Sequence, residues 1–110
     1  MATPEGKFYI CYKNPRSRYT RFLGISYPNL EDARRGLRRG LITQGQFDRI
    51  RRAIEHRRCP PWKTALGGEV GLHGRTTPNS WTHGCISMDN AHILKLSKML
   101  PLGTPVEIFH

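Results

Sequence analysis

The pattern of apolar and polar residues along the chain predicts a small sheet accompanied by three helices. Near the N-terminus Phe8, Ile10 and Tyr12 alternate with other positions, and this period of two predicts a strand with those three side chains on one face. The same kind of pattern predicts further strands over residues 22–25, 69–73, 86–88 and 105–109. Together with many glycines and prolines, it suits a sheet-containing fold with long loops.

Helix signals occur at three places in the chain. Asn29 is a cap candidate for a helix over residues 30–39, and Thr43 opens a second helix with capping-box spacing. Asn90 is expected to cap a third helix, which runs to about residue 100. The apolar stripe of the second helix consists of Phe47, Ile50 and Ile54. The stop signals of the first two helices are Gly40 and the pair Pro60-Pro61.

Strand alternation also predicts on which side of the sheet the reactive residues lie. Val70 and Leu72 share one face of their strand, so His73 takes the other. The next strand places Cys85 and Ser87 on the side away from the core. His73 and Cys85 therefore project from strand ends, where a rigid scaffold holds side-chain geometry well.

Composition bounds the class of protein. A chain of 110 residues has room for one domain with a single core. No apolar run approaches the ~18 residues of a membrane span, and residues 1–6 lack the apolar core of a signal peptide. Lys and Arg number 18 against 8 Asp and Glu, for a formal net charge of +10. Such a field favours nucleic acid, an anionic membrane face or an anionic cell-wall polymer.

The positive charge is concentrated in the predicted helical segment, where nine arginines fall between Arg34 and Arg58. One interpretation is a solvated basic helix that packs on the sheet by its apolar stripe. The other is a lid or a substrate-binding face. A nucleic-acid-binding module is disfavoured, because the segment has neither an RNA-recognition sheet motif nor a zinc-finger pattern.

Three cysteines leave at least one thiol unpaired within the chain. An oxidising compartment would allow a disulfide between Cys11 and Cys59, and the alternative is a buried Cys11 that acts as a small apolar residue. The residues around Cys85 nominate it as the free thiol.

The segment around Cys85 has the composition of a cysteine acyl-transfer site. His83 lies two positions before Cys85, and His73 lies 12 positions before it. A thiol attacks a carbonyl as the thiolate, and a neighbouring imidazole is the usual base. Gly84 allows a tight turn that points backbone N–H groups at a developing oxyanion.

Either histidine is a candidate base for this thiol. His73 is preferred, because it comes from another strand and approaches the thiol laterally, while His83 would line the site. A metal site is one alternative. Its ligands would be both histidines and Cys85, with His56 and Cys59 as reserve ligands that could replace one of them. The spacing of these residues matches no standard zinc pattern. The other alternative is a buried Cys85 with incidental histidines.

Several segments of the chain form a combination that is typical of one enzyme family. They are Thr3-Pro4-Glu5-Gly6-Lys7-Phe8, Leu72-His73-Gly74, Thr82-His83-Gly84-Cys85-Ile86-Ser87-Met88-Asp89-Asn90 and Pro101-Leu102-Gly103-Thr104-Pro105-Val106. This combination resembles the L,D-transpeptidase catalytic domain, the YkuD-type fold. The resemblance covers nearly the whole chain, which is expected to be a single catalytic domain over residues 1–110.

The resemblance implies a fold and a role for each matching residue. The fold is α+β, mostly β with short helices, a YkuD-like sandwich of mixed sheets with a helical insertion at about residues 29–58. Cys85 would be the nucleophile and His73 the general base. The other motif and oxyanion-hole positions would be His83, Gly84 and Gly74, and the substrate-binding positions Arg75, Ser87 and Trp81. No metal and no cofactor is implied.

The implied reaction is acyl transfer on peptidoglycan tetrapeptide stems through a Cys85 thioester, which makes a 3→3 crosslink or attaches another amine. Carbapenem-type inhibitors would acylate the same thiol. The alternative keeps the fold and the nucleophile but uses water as acceptor, as in an L,D-carboxypeptidase or a peptidoglycan–protein amidase, including an antibacterial effector. Such a substrate implies a periplasmic or cell-envelope location.

Three departures from the family pattern matter. The loop after His73 is shorter than in many members. Ser87 stands where many members carry Arg or Asn, so Arg75 would take over the binding of a substrate carboxylate. The strands that usually precede the Thr3–Phe8 segment are missing, which suggests a truncated or minimal domain whose sheet a homo-oligomer or a partner chain completes.

Overall fold

The computed structural model describes residues 4–14, 22–68, 70–74, 86–88 and 90–109. Of residues 14, 74, 86–88 and 90 it describes only the backbone. The described part of the chain contains five strands and three helices. The elements are β1 (Gly6–Asn14), β2 (Phe22–Ile25), α1 (Leu30–Arg38), α2 (Gln44–Glu55), β3 (Gly71–Gly74), β4 (Ile86–Met88), α3 (Asn90–Met99) and β5 (Pro105–Ile108). The α+β class and the helical insertion before β3 are confirmed. None of the helices in these residues is long and apolar enough to cross a bilayer.

The described strands form one mixed sheet in the order β4-β3-β2-β1-β5. β3 and β4 pair in parallel, and the other neighbours are antiparallel. Because β1 has a neighbour on both sides, the edges of the described sheet are β4 and β5. Completion of the sheet by a partner chain and the single-domain assignment stay predictions.

A bulge in β1 overturns one expectation about faces. Ile10 pairs with Ile25, but Tyr12 pairs with Gly24, so Cys11 is an extra residue on one strand. Ile10 is fully buried, whereas 41% of the Tyr12 surface is exposed. The prediction that Tyr12 shares a face with Phe8 and Ile10 is wrong, because one inserted residue moves the next side chain to the opposite face.

The apolar residues form two clusters. The larger one lies on the sheet face that α3 covers and consists of Phe8, Ile10, Leu23, Ile25, Val70, Leu72, Ile93 and Ile108. The smaller one joins α1 to α2 and consists of Ala33, Ile42 and Ile50, with Leu37, Phe47, Ile54 and Leu66 packed against it. The predicted stripe of α2 is thus confirmed, and the full burial of a side chain such as Ile50 stabilises the fold by about 1.5–3 kcal/mol.

Both predicted caps of the helical insertion are present. Asn29 Oδ1 accepts a hydrogen bond of 2.9 Å from Asp32 N–H, and an Asp32 carboxylate oxygen accepts one of 3.0 Å from Asn29 N–H. Thr43 and Gln46 form the same reciprocal pair at the start of α2. α1 ends before Gly40, which takes the left-handed conformation with φ of 72°. The predicted cap Asn90 is instead the first residue of α3.

α2 ends in a Schellman motif that has an arginine at the usual glycine position. Arg57 has φ of 57°, and the N–H groups of Arg57 and Arg58 donate to the Ile54 and Ala53 carbonyls at 3.1 and 2.8 Å. The Arg57 guanidinium lies 4.1 Å from the centre of the Tyr9 ring and donates to the Gly103 carbonyl at 3.1 Å. These contacts stabilise the left-handed backbone conformation of Arg57, which is unfavourable in free energy for residues other than glycine.

Candidate active site

Of the two predicted catalytic residues, His73 is the one whose side chain the structure describes. It lies in β3 with 1% of its surface exposed, and its antiparallel partner in β2 is Phe22. Because side chains alternate along a strand, His73 and the core residue Leu72 lie on opposite faces of β3, as predicted. The face that carries His73 is covered at this position as well.

β4 lies beside β3, so the last residues of the predicted motif are next to the strand that carries His73. In the parallel pair, Leu72 is opposite Ile86, and His73 is opposite Ser87. Gly74, at the end of β3, is opposite Met88, and its role in the site stays a prediction. Other predicted site residues lie outside the described residues: Arg75, Trp81, His83, Gly84 and Cys85.

Two glycines make room for the ring of Phe22 beside His73. A Cβ on Gly24 would lie 3.2 Å from Phe22 Cε2, and a Cβ on Gly71 would lie 2.9 Å from Phe22 Cε1. Gly71 also approaches the Leu23 carbonyl so closely that a Cβ would overlap the oxygen. Glycine is therefore required at position 71 for β2 and β3 to pair as they do.

A row of aromatic rings leads from Phe22 to the surface. The Tyr12 ring centre is 6.2 Å from that of Phe22 and 5.8 Å from that of Trp62, which it meets nearly edge-on. Such ring pairs contribute about 0.5–1.5 kcal/mol each beyond their buried area. The bulge in β1 creates this row, because it turns Tyr12 toward the face of Phe22.

The aromatic row ends in an open groove of about 460 Å³, the aromatic groove, lined by Tyr12, Cys59, Pro60, Pro61, Trp62 and Lys63. Cys59 is bonded to Cys11, with 5.2 Å between their Cα atoms. The disulfide therefore fastens the wall of the groove to the bulge of β1. Apart from Cys59, which was a possible metal ligand, these residues were not predicted as site residues; the sequence signal for such a wall is the Pro-Pro-Trp run directly after a cysteine.

The same disulfide decides between the two sequence interpretations of Cys11 and removes one reserve metal ligand. The Cys59 sulfur cannot bind a metal ion while it is bonded to Cys11. His56, the other reserve ligand, uses Nδ1 to donate to the Arg52 carbonyl at 2.8 Å. Within the described ranges no group of three or more His, Cys, Asp or Glu side chains is arranged to hold a metal ion.

Comparisons with known proteins bear on both the fold and the family. Residues 1–108 match the family described as L,D-transpeptidase catalytic domain (YkuD). No curated protein has a sequence significantly similar to the chain.

Among solved structures, a mutant of the helical cell shape determining protein Pgp2 from Campylobacter jejuni is similar, with a TM-score of 0.55 and 18% sequence identity. The match covers 96% of this chain and 30% of the other. At this identity the likeness concerns the fold alone, and the chain spans less than a third of that protein.

Proposed function

The chain belongs to the family of L,D-transpeptidase catalytic domains, and on that premise we propose that it is a cysteine acyltransferase acting on peptidoglycan tetrapeptide stems. Cys85 is the nucleophile and His73 the general base in this proposal. The observation that carries it is the parallel pairing of β3 with β4, which joins the chain segment of Cys85 to the strand beside His73.

Covalent connectivity supports the pairing of these two side chains. The Cα of Cys85 is about 3.8 Å from that of Ile86, because consecutive Cα atoms are always so spaced. Ile86 is opposite Leu72, the residue before His73, and neighbouring strands are about 4.8 Å apart. With a further 3.8 Å from Leu72 to His73, the Cα atoms of Cys85 and His73 are at most about 12 Å apart, so chain connectivity keeps the two residues near each other.

The first proposed step forms a thioester. Neutral His73 takes the proton of the Cys85 thiol, and the thiolate attacks the carbonyl carbon of the stem amide. The oxyanion of the tetrahedral intermediate accepts hydrogen bonds from backbone N–H groups near Gly84 and Cys85. When the C–N bond breaks, His73 returns the proton to the departing amine of D-alanine, which leaves the acyl group on sulfur.

The second proposed step frees the enzyme. The amine of another stem attacks the thioester carbon while His73 removes one of its protons, and the C–S bond breaks. The proton then passes from His73 to the Cys85 thiolate, so an amide and the starting thiol result. Water in place of the amine gives a carboxylic acid by the same route, which is the hydrolase alternative.

The positive charge of the chain fits a substrate rich in carboxylates. The chain carries a formal charge of +10, and Arg75, Ser87 and Trp81 are the proposed substrate contacts, with His83 and Gly74 supporting the motif. The disulfide between Cys11 and Cys59 favours an oxidising compartment such as the periplasm or the cell envelope, where this substrate occurs.

The test is the intact mass of the protein after incubation with a carbapenem, followed by the fate of a muropeptide substrate. We expect a single adduct on the unmodified chain, none on Cys85→Ala, and acylation slowed at least about 10²-fold in His73→Gln. His56→Gln is the matched control and should acylate at the normal rate, because His56 is an exposed residue at the end of α2. Absence of an adduct on the unmodified chain would refute the proposal.

A tetrapeptide muropeptide then separates transfer from hydrolysis. A crosslinked dimer with release of D-alanine identifies a transpeptidase, whereas a tripeptide product identifies a carboxypeptidase. Either product requires Cys85, so Cys85→Ala distinguishes this chemistry from a contaminating activity.

A further inference from the structure

A second cavity lies at the C-terminal end of α2 and is surrounded by positive charge. Its volume is about 360 Å³, and its lining consists of Arg49, Arg52, Ala53, His56, Arg58 and Cys59. Arg49, Arg52 and His56 follow the three- and four-residue spacing that places side chains on one helix face. Arg58 comes from the segment after the helix, so cations from two segments converge on this arginine cavity.

No ion pair in the described part of the chain neutralises the arginines of this cavity. Among the described residues, the ion pairs of α2 join Arg51 to Asp48 and Glu55, at 3.7 and 3.4 Å. Arg51 is about 200° around the helix from Arg49, since each residue turns the helix by about 100°. α2 therefore has one face on which arginine is neutralised and another, at the cavity, on which it is not.

The backbone on one side of the cavity is held rigidly before any ligand arrives. Arg58 donates its N–H to the Ala53 carbonyl at 2.8 Å, and its own carbonyl accepts the Tyr9 hydroxyl at 2.7 Å. The next residue, Cys59, is fixed to β1 by the disulfide. The backbone of this part of the cavity is therefore already ordered, so its ordering adds little to the entropy cost of binding.

Stabilisation of the helix terminus does not account for this cluster. Cations favour the last turn of a helix because of the partial negative charge there, and the effect fades beyond that turn. Arg52 and Arg58 fit this explanation, but Arg49 lies more than one turn before the end of α2 at Glu55. Arg49 therefore adds positive charge to the cavity, and the partial negative charge at the end of the helix is too far away to compensate it.

We propose that the arginine cavity binds the phosphate group of a phosphate ester, either a soluble ester or a lipid headgroup. Guanidinium groups bind tetrahedral oxyanions through paired, charge-assisted hydrogen bonds, and three arginine residues line this one cavity. The volume is that of a site for one small ligand. The site lies outside the proposed acyl-transfer machinery and does not depend on Cys85.

The experiment titrates the full chain with inorganic phosphate and with glycerol 3-phosphate, followed by calorimetry and by the NMR shifts of arginine Nε–H groups. We expect saturable binding that is at least about tenfold weaker in the double variant Arg49→Gln/Arg52→Gln. Arg38→Gln/Arg51→Gln is the matched control; it removes the same charge from exposed positions outside the cavity and should change the affinity less than twofold.

Vesicles separate the two sources of phosphate. The ligand is a lipid headgroup if the chain is retained on phosphatidylglycerol vesicles, if Arg49→Gln/Arg52→Gln abolishes this retention, and if glycerol 3-phosphate competes with it. The ligand is a soluble ester if the chain binds glycerol 3-phosphate but is not retained on the vesicles. Equal losses in the two double variants, or shifts that never saturate, overturn the proposal in favour of diffuse charge attraction. If the cavity variant unfolds, the shifts of Arg49, Arg52 and Arg58 in the unmodified chain decide.

Discussion

Loss of the Cys11–Cys59 disulfide should remove a large part of the stability of this protein. The bond closes a loop with a sequence separation of 48 residues. In the chain-entropy description, a crosslink across such a loop raises the free energy of unfolding by about 4 kcal/mol at 25 °C. The whole stability of a small domain is about 5–15 kcal/mol, so the bond would supply between a quarter and most of it.

The same magnitude can be expressed as a melting temperature. A chain of 110 residues gains about 0.23 kcal/mol/K of entropy on unfolding, from about 2.1 cal/mol/K per residue. Division of 4 kcal/mol by that entropy gives a fall of about 17 °C in Tm.

The assay compares thermal and urea unfolding of the oxidised chain, the chain reduced with a phosphine, and Cys11→Ala/Cys59→Ala. We expect the reductant to lower the Tm of the unmodified chain by about 17 °C and to leave that of the double variant unchanged. Alkylation of the unfolded chain should label one thiol before reduction and three after it, because Cys85 is the remaining cysteine.

Two results would refute this reasoning. Labelling of three thiols without reductant would mean that the disulfide does not form. A fall in Tm below about 3 °C on complete reduction would mean that other contacts hold the bulge of β1 and the segment after α2 together.

Three further predictions concern backbone and charge. Arg57→Ala should be less stable than Arg57→Gly by about 1 kcal/mol in urea unfolding, because both lose the same side-chain contacts but glycine adopts positive φ freely. Gly71→Ala should destabilise by about 2–4 kcal/mol, since its Cβ meets backbone. Gly45→Ala on α2, where a Cβ would make an ordinary contact of 3.9 Å with Thr43 Oγ1, should stabilise by up to about 1 kcal/mol. Burial raises the pKa of the Asp32 carboxyl, so its proton is held to higher pH in the folded state than in the unfolded one. Stability should therefore fall, relative to Asp32→Asn, as pH rises above about 4.

Each of these predictions has a contradicting outcome. Equal stability of the two Arg57 variants would show that the left-handed conformation is not retained. A neutral Gly71→Ala would show that β2 and β3 can separate without loss. A difference between Asp32 and its Asn variant that grows in favour of Asp32 with rising pH would mean that the ion pair with Arg35, at 2.6 Å, outweighs burial.

Local features of the fold could be predicted from the sequence because their causes are local. Asn29 and Thr43 cap helices through side chains that reach backbone three residues away, so spacing alone indicates them. The division of Leu72 and His73 between faces follows from strand alternation. The family was predictable for a similar reason, since its signature consists of short runs of residues, among them Leu72-His73-Gly74 and the segment around Cys85.

Other features depend on contacts between distant segments and escaped prediction. The bulge at Cys11 exists only in the pairing of β1 with β2, and it places Tyr12 on the opposite face of the sheet from the one predicted. The aromatic groove needs that reversal together with the position of Trp62. The arginine cavity likewise depends on where Arg58 lies relative to α2, which a left-handed Arg57 determines.

The sequence by itself determined the helices, the strands, the reactive motif and the family, since each depends on residues within a few positions of one another. The tertiary structure alone decided that Cys11 bonds to Cys59, that Tyr12 joins Phe22 and Trp62, and that three arginines share one cavity. The physical reason is that strand register and long-range contacts are set by the packing free energy of the whole chain. A one-residue bulge moves the side chains that follow it in the strand to the opposite face, so their contacts cannot be derived from local sequence.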